Sequence, residues 1–237
     1  MIKILGQSTY YQFLMFLRIK QAVFFSLIFP LFLFLVFGSL WGTDNPDYIP
    51  FILSGIIGMT IASDGLFAIG PVVKEYYASG LIKYLRKLPF NILWHFTGLI
   101  LSRIISLVFI ISLLCLLARF IFDYTVTSAQ VVNLVLGTFI GLFLFSFMGL
   151  VVTFSGIKHN TSTGLINLVY FVMLFTSKAF YTIGDYNSII NLIGNILPLN
   201  AILNILRGEG FHASILAWLL FSMAIFYYLF NRIKFSR

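Results

Sequence analysis

The chain alternates long apolar stretches with short polar segments, and this pattern predicts its fold. A helix needs about 20 mainly apolar residues to cross the ~30 Å hydrocarbon core of a bilayer. Six stretches meet or approach that length: residues 22–41, 51–71, 95–118, 131–154, 163–181 and 212–230. We therefore expect an all-α membrane protein with six transmembrane helices. The composition agrees, because 60% of the 237 residues are hydrophobic and only 9% are charged, too few charges to cover a soluble domain.

The distribution of basic residues predicts the orientation of these spans. The net charge of +8 suggests nucleic acid as a partner, but on a membrane protein basic residues mark the cytoplasmic loops instead. Eleven of them fall on one side of the predicted bundle: Lys3, Arg18, Lys20, Lys74, Lys83, Arg86, Lys87, Lys158, Arg232, Lys234 and Arg237. We therefore expect both termini to be cytoplasmic, with membrane lipids and no nucleic acid among the partners.

Two polar-apolar segments outside the spans predict helices that do not cross the membrane. In residues 1–21, apolar side chains at helical spacing predict an amphipathic helix on the cytoplasmic interface: Tyr10, Phe13, Leu14 and Leu17. The alternative is an extension of the first span. Residues 186–207 carry an apolar stripe on each side of Pro198, and each piece is too short to span a bilayer. They predict two re-entrant helices on the external side, with ordinary surface helices as the alternative.

Candidate chemistry within the predicted spans is sparse. Apart from Lys178 near the external end of the fifth span, the charged residues there are Asp64 in the second span and Arg103 in the third. An ionisable group in lipid is a functional candidate by default. The structural alternatives are that each side chain extends to water at a helix end, or that the two pair. No metal site is predicted, because the three histidines have no Cys or carboxylate at ligand spacing. They are His95, His159 and His212.

The sequence also lacks a phosphate-binding loop of the form GxxxxGK[ST], so any use of ATP requires another chain. This makes the basic segment 74–90, between the second and third spans, more informative. It carries apolar residues at helical spacing, which predicts a short amphipathic helix, and Pro89 would end that helix. Such a helix either lies on lipid or docks in a groove of a partner protein.

Several short motifs follow one another along the chain. They are Ile52-Leu53-Ser54-Gly55-Ile56-Ile57 in the second span, Lys74-Glu75, Gly80, Leu85-Arg86 and Leu88-Pro89 in the next loop, and Leu197-Pro198-Leu199 with Arg207-Gly208 before the last span. In this order and spacing the chain resembles the ABC-2 permeases, the membrane subunits of ATP-driven exporters. The resemblance extends over residues 1–237, as a single transmembrane domain.

The resemblance implies partners and roles for particular residues. Two permease subunits, identical or homologous, would pair above two cytoplasmic ABC ATPase subunits that bind Mg-ATP, so this chain would hold no cofactor and would not be an enzyme. The expected ATPase-coupling residues are Lys74, Glu75, Tyr76, Gly80, Leu85, Arg86 and Pro89, with Lys158, His159 and Asn160 as secondary contacts. The helices of 186–207 would form an external gate with Ile193, Pro198, Leu199, Asn200 and Arg207.

The expected function is outward transport across a bacterial cytoplasmic membrane by alternating access. An aromatic content of 18% favours amphipathic or hydrophobic cargo, such as a drug, an antimicrobial peptide or a lipid-like molecule. A lipid-linked polysaccharide is the alternative cargo. Two other classes remain: a secondary transporter would carry buried charges at the midplane and need no ATPase, and a membrane scaffold or immunity protein would tolerate mutation of residues 74–90.

Overall fold

The computed structural model describes residues 2–18, 20–42, 45, 47–85, 87, 93–155, 159–181 and 188–232. Every regular element within these ranges is a helix, so the predicted all-α class is confirmed. The helices are α1 Ile2–Arg18, α2 (residues 20–42), α3 Tyr48–Ala78, α4 Leu81–Leu85, α5 Leu93–Phe122, α6 Ser128–Phe154, α7 His159–Thr176, α8 Ser188–Ile196, α9 Pro198–Arg207 and α10 Ser214–Arg232.

Four of these helices, α3, α5, α6 and α10, are long and apolar enough to cross a membrane. They contain four of the six predicted spans almost entirely. The other two predictions coincide with shorter apolar helices, Ser26–Gly42 within α2 and Ser162–Thr176 within α7. The α8–α9 pair is bent by 82° and passes the same test as one broken unit. The described chain thus has four or five candidate spans by length and composition, and the count of six stays a prediction.

Local sequence explains where two of the helices begin and end. At the start of α6, the Thr127 N–H donates to Gln130 Oε1 at 2.8 Å and the Gln130 N–H donates to Thr127 Oγ1 at 3.4 Å, a reciprocal cap that satisfies otherwise unpaired donors. Pro198 opens α9 because its fixed φ suits the first helical position and it has no N–H to bond backward. Gly208 closes α9 in the left-handed conformation, at φ 79°.

Helix α3 lies at the centre of the bundle. In its most apolar window 83% of the residues are buried, against 50% in α6, 28% in α5 and 11% in α10, which leaves the last two helices mostly facing outward. Close backbone contact holds α6 against α3. A Cβ added at Gly149 would lie 2.6 Å from the carbonyl oxygen of Leu66, so only glycine lets the two backbones approach this closely.

Helix α1 packs along the first half of α5, but not by its predicted apolar stripe. Tyr10 and Leu17 of that stripe are exposed, whereas Gln12 and Phe16 are buried. Tyr10 and Leu17 therefore face outward, as contact of the helix with a membrane interface requires. Its lipid contact stays a prediction.

Candidate functional site

A cavity of about 1690 Å³ lies between α2, α3 and α7. Helices α2 and α7 each present one face to it, because their lining residues recur about every four positions, the spacing that aligns side chains on a helix. On α2 these are Phe29, Leu33, Phe37 and Trp41; on α7 they are Thr163, Asn167, Tyr170, Phe171 and Leu174. Met59, Thr60 and Phe67 of α3 complete the wall. The cavity is thus lined mainly by aromatic and aliphatic side chains.

Charged side chains line the cavity in two places. Asp47 lies just before α3, and Asp64 of α3 with Arg103 of α5 forms a charged region, beyond which α3 continues to line the cavity with Phe67 and Val72. Asp64 and Arg103 are almost fully buried, with 4% and 8% of their surface exposed. Ser26 Oγ donates a hydrogen bond to Asp64 Oδ1 at 3.2 Å. The Arg103 guanidinium lies over the Phe16 ring, 4.7 Å from its centroid. The Asp64 carboxylate and the Arg103 guanidinium also attract each other electrostatically.

Two π-helical turns bring these groups together. Ser26 lies in the π turn Phe24–Ile28 of α2, and Asp64 opens the π turn Asp64–Ile69 of α3. A π turn inserts a residue into the helix and redirects the side chains that follow, and such turns recur at functional sites. The burial of Asp64 and Arg103 does not fit side chains that extend to water at a helix end. Direct pairing of the two residues and a role in transport both stay predictions.

Packed aromatic rings line the cavity near the start of α3. The Phe37 and Trp41 rings stack with their centroids 5.4 Å apart, and the Phe37 and Phe180 centroids are 5.2 Å apart. Tyr48 OH donates to the carbonyl oxygen of Phe180 at 3.1 Å. This hydrogen bond joins the start of α3 to the segment that follows α7.

Two of the predicted gate residues hold the same segment in place. Arg207 Nη2 donates to the Lys178 carbonyl oxygen at 2.7 Å and Arg207 Nε donates to Ser54 Oγ at 2.9 Å. Asn200 Oδ1 accepts the backbone N–H of Lys178 at 2.8 Å. The guanidinium also lies 4.0 Å from the centroid of the Phe51 ring. Helix α9 is therefore bonded both to α3 and to the end of α7.

The remaining gate residues differ in exposure. Pro198 and Leu199 are buried in the core, while Ile193 of α8 is 40% exposed. The break at Pro198 is confirmed by the bend between α8 and α9. The placement of both helices on the external side, and their role as a gate, stay predictions.

The predicted coupling segment 74–90 is not one helix. Helix α3 continues through Lys74 and Glu75 to Ala78, Gly80 turns the chain at φ 74°, and the short helix α4 follows. Glu75 is exposed, whereas Tyr76 and Leu85 are buried within the chain. The buried pair supports the segment from inside, and contact of the segment with an ATPase stays a prediction.

The other coupling residues are less fully described. His159 and Asn160 are the first two residues of α7. Arg86, Pro89 and Lys158 lie outside the described residues.

A hydrogen-bonded network that the sequence did not predict surrounds Tyr76. Gln12 Nε2 donates to Tyr76 OH at 2.7 Å and lies 3.2 Å from His95 Nε2, and Ser8 Oγ lies 3.2 Å from His95 Nδ1. Ser8 and Gln12 are four residues apart, so they share one face of α1. This polar stripe was the available signal, and the overlapping apolar stripe obscured it. The network joins α1, the end of α3 and the start of α5.

A model of the ABC-2 type transporter family matches residues 5–211, from α1 through α9. The chain belongs to this family. No curated protein matches it in a sequence comparison. As an ABC-2 permease the chain is a multi-pass membrane protein, in agreement with its apolar helices, and its family membership implies association with an ABC ATPase.

Proposed function

We propose that this ABC-2 permease is the membrane-spanning subunit of an ATP-driven exporter of amphipathic or hydrophobic cargo. It acts in a bacterial cytoplasmic membrane, with six spans and both termini in the cytoplasm. Two copies of a separate ABC ATPase bind Mg-ATP and drive it. A second permease subunit, identical or homologous, completes the transporter.

The cavity is the observation that carries this proposal. Its volume of about 1690 Å³ exceeds the ~300–1,000 Å³ of an ordinary small-molecule pocket. Aromatic rings from three helices line it, among them Phe67 and Tyr170, whose centroids are 5.6 Å apart. Such a wall offers mainly apolar contact, with charge at Asp47 and in the region of Asp64 and Arg103. That distribution matches a cargo with an apolar body and a polar group.

Helix α3 provides the mechanical link from the ATPase to the cavity. Thr60, Asp64 and Phe67 line the cavity, and the exposed Glu75 lies two turns further along the same helix. A force applied at Glu75 and α4 therefore acts directly on the cavity wall. An effector shifts a conformational equilibrium only by its differential binding to the two states. Export therefore requires that ATP binding favours one packing of α2 and α7 around α3 and that ATP hydrolysis favours another.

ATP-dependent uptake into inverted membrane vesicles tests the proposal. The vesicles carry the chain with its ABC ATPase, and the probes are a fluorescent cationic Hoechst dye and a phospholipid with a fluorescent acyl chain. We expect ATP-dependent movement of at least one probe and a loss of most of this movement in Phe67→Ala. The matched control is Phe120→Ala, because Phe120 is 77% exposed on the outer surface of α5.

A second arm tests the coupling of transport to ATP hydrolysis. The double variant Glu75→Ala/Arg86→Ala should lose both ATP turnover stimulated by the permease and probe uptake. Unchanged turnover and uptake in this variant would refute the assigned coupling surface. Absence of ATP-dependent movement of both probes in the wild type would refute the cargo class and favour a polysaccharide carrier or a scaffold.

A further inference from the structure

The charged region of the cavity, at Asp64 and Arg103, has hydrogen-bonding capacity that the described residues do not use. A carboxylate accepts about four hydrogen bonds, and the bond described for Asp64 comes from Ser26. Arg103 carries five N–H donors, and its buried Nε has no hydrogen-bond partner among the described residues. Burial of charged groups is costly unless they are paired and hydrogen-bonded. The two side chains are therefore incompletely satisfied by the described residues.

Both groups border the cavity together with Ser26, so a bound molecule can supply the remaining partners. A purely cationic head group gains from Asp64 but is repelled by Arg103. A purely anionic head group meets the opposite pair of forces. A head group that carries both charges gains from both residues, because its ammonium faces the carboxylate and its anionic group faces the guanidinium.

The rest of the cavity indicates what is attached to such a head group. From Asp64 and Ser26 the wall continues along Phe29, Leu33 and Phe37 of α2 to Trp41. This path is apolar and aromatic, which suits a hydrocarbon tail. A molecule whose head lies at Asp64 would therefore extend its tail toward the Trp41 ring.

We propose that Ser26, Asp64 and Arg103 form a head-group site that selects zwitterionic amphiphiles within this cavity. The inference rests on the proposed function and deepens it, since it assigns the chemistry of the cargo's polar end. Phosphate with ammonium and carboxylate with ammonium are the two sources of such a head group. Asp64 and Arg103 determine specificity, and Ser26 positions the Asp64 carboxylate.

Equilibrium binding to the purified full chain in a nonionic maltoside detergent tests the site without an ATPase. The probe is lysophosphatidylethanolamine with a dansyl group at the end of its acyl tail, and the signal is energy transfer from Trp41. Trp41→Phe provides the background, because Trp94 and Trp218 remain in that variant. Unlabelled tetradecyl competitors supply four head groups: phosphoethanolamine, betaine, trimethylammonium and carboxylate.

We expect the two zwitterions to compete about tenfold or more better than the cation and the anion, the fold-change expected from one charge-assisted hydrogen bond. A preference between phosphoethanolamine and betaine identifies the source of the anionic group. The single variants should then exchange the selectivity. Asp64→Asn leaves Arg103 charged and should favour the carboxylate competitor, whereas Arg103→Gln should favour trimethylammonium. A purely structural role would not produce this reciprocal change.

Three results would overturn the site. One is equal competition by all four head groups in the wild type, which would leave the cavity as an unselective amphiphile site and the proposed function intact. Another is a uniform loss of affinity for every competitor in both variants. The third is the absence of Trp41 energy transfer in the wild type, which would also remove the binding basis of the proposed function. If a variant is not monodisperse, the wild-type ranking alone decides.

Discussion

Replacement of Arg207 tests how strongly helix α9 is fixed to the rest of the bundle. Arg207→Ala removes the bonds to Ser54 Oγ and to the Lys178 carbonyl oxygen, a longer bond of 3.4 Å to the Phe51 carbonyl oxygen, and the contact with the Phe51 ring. An interhelical hydrogen bond in a membrane protein contributes about 0.6 kcal/mol on average, and a bond from a charged donor about 1.5–3 kcal/mol. We take about 1 kcal/mol for each of the two shorter bonds, nothing for the long bond to Phe51, and about 1 kcal/mol for the cation–π contact.

The expected loss in the free energy of unfolding is therefore about 3 kcal/mol for Arg207→Ala. For a chain of this length, 1 kcal/mol corresponds to roughly 2–4 °C, so we expect a midpoint lower by about 6–12 °C. Arg207→Lys should recover only part of this loss, because one ammonium group does not reproduce the planar fork that reaches two acceptors. Its midpoint should lie between those of the wild type and the alanine variant.

The measurement is the temperature at which half of the detergent-solubilised protein stays monodisperse after a fixed time of heating. The matched control is Arg119→Ala, since Arg119 is exposed in the last turn of α5, at the same end of the bundle. Exposed ion pairs contribute little, so this variant should behave as the wild type. If Arg207→Ala unfolds within about 2 °C of the control, the argument that Arg207 clamps α9 is wrong.

Three further substitutions test other contacts in the same heating assay or by amide exchange. Gly149→Ala places a Cβ against the Leu66 carbonyl oxygen and should cost about 1–3 kcal/mol, because neither backbone can yield; an unchanged midpoint contradicts the close approach. Gln12→Leu removes the donor to Tyr76 OH and should speed hydrogen exchange in α1, with equal rates as the contrary result. Tyr48→Phe loses one hydrogen bond and should cost about 1 kcal/mol; a midpoint equal to the wild type would exclude a stabilising role for it.

The apolar periodicity predicted the helices but not how they meet. Length and hydropathy correctly placed α3, α5, α6 and α10, and Pro198 marked the break before α9 because proline cannot continue a helix. In a membrane, however, residues that face lipid and residues that face the core are both apolar. The pattern therefore assigned Tyr10 and Leu17 of α1 to the membrane interface, but it did not show that α1 packs on the bundle through Gln12 and Phe16.

The sequence indicated only some of the residues in the charged region of the cavity, for a related reason. Asp64 and Arg103 stood out because charged residues are rare in apolar spans, and their electrostatic attraction follows from opposite charge. Ser26 gave no comparable signal. It is 38 positions from Asp64 in the sequence, and a single serine does not stand out in a mainly apolar helix. The π turns that align the two residues also have no simple sequence signature. The cavity itself depends on the arrangement of three helices, which no local pattern encodes.

Helix α1 connects the two regions that transport has to link. Through Gln12 it bonds to Tyr76, one residue beyond the exposed Glu75 on α3. One turn further along, Phe16 lines the cavity and carries the Arg103 guanidinium on its ring. Because a helix turn is stiff, a displacement of the end of α3 must either break the Gln12 bond or move Phe16 with it. The same motion therefore displaces the charged region at Asp64 and Arg103 through α1 as well as through α3.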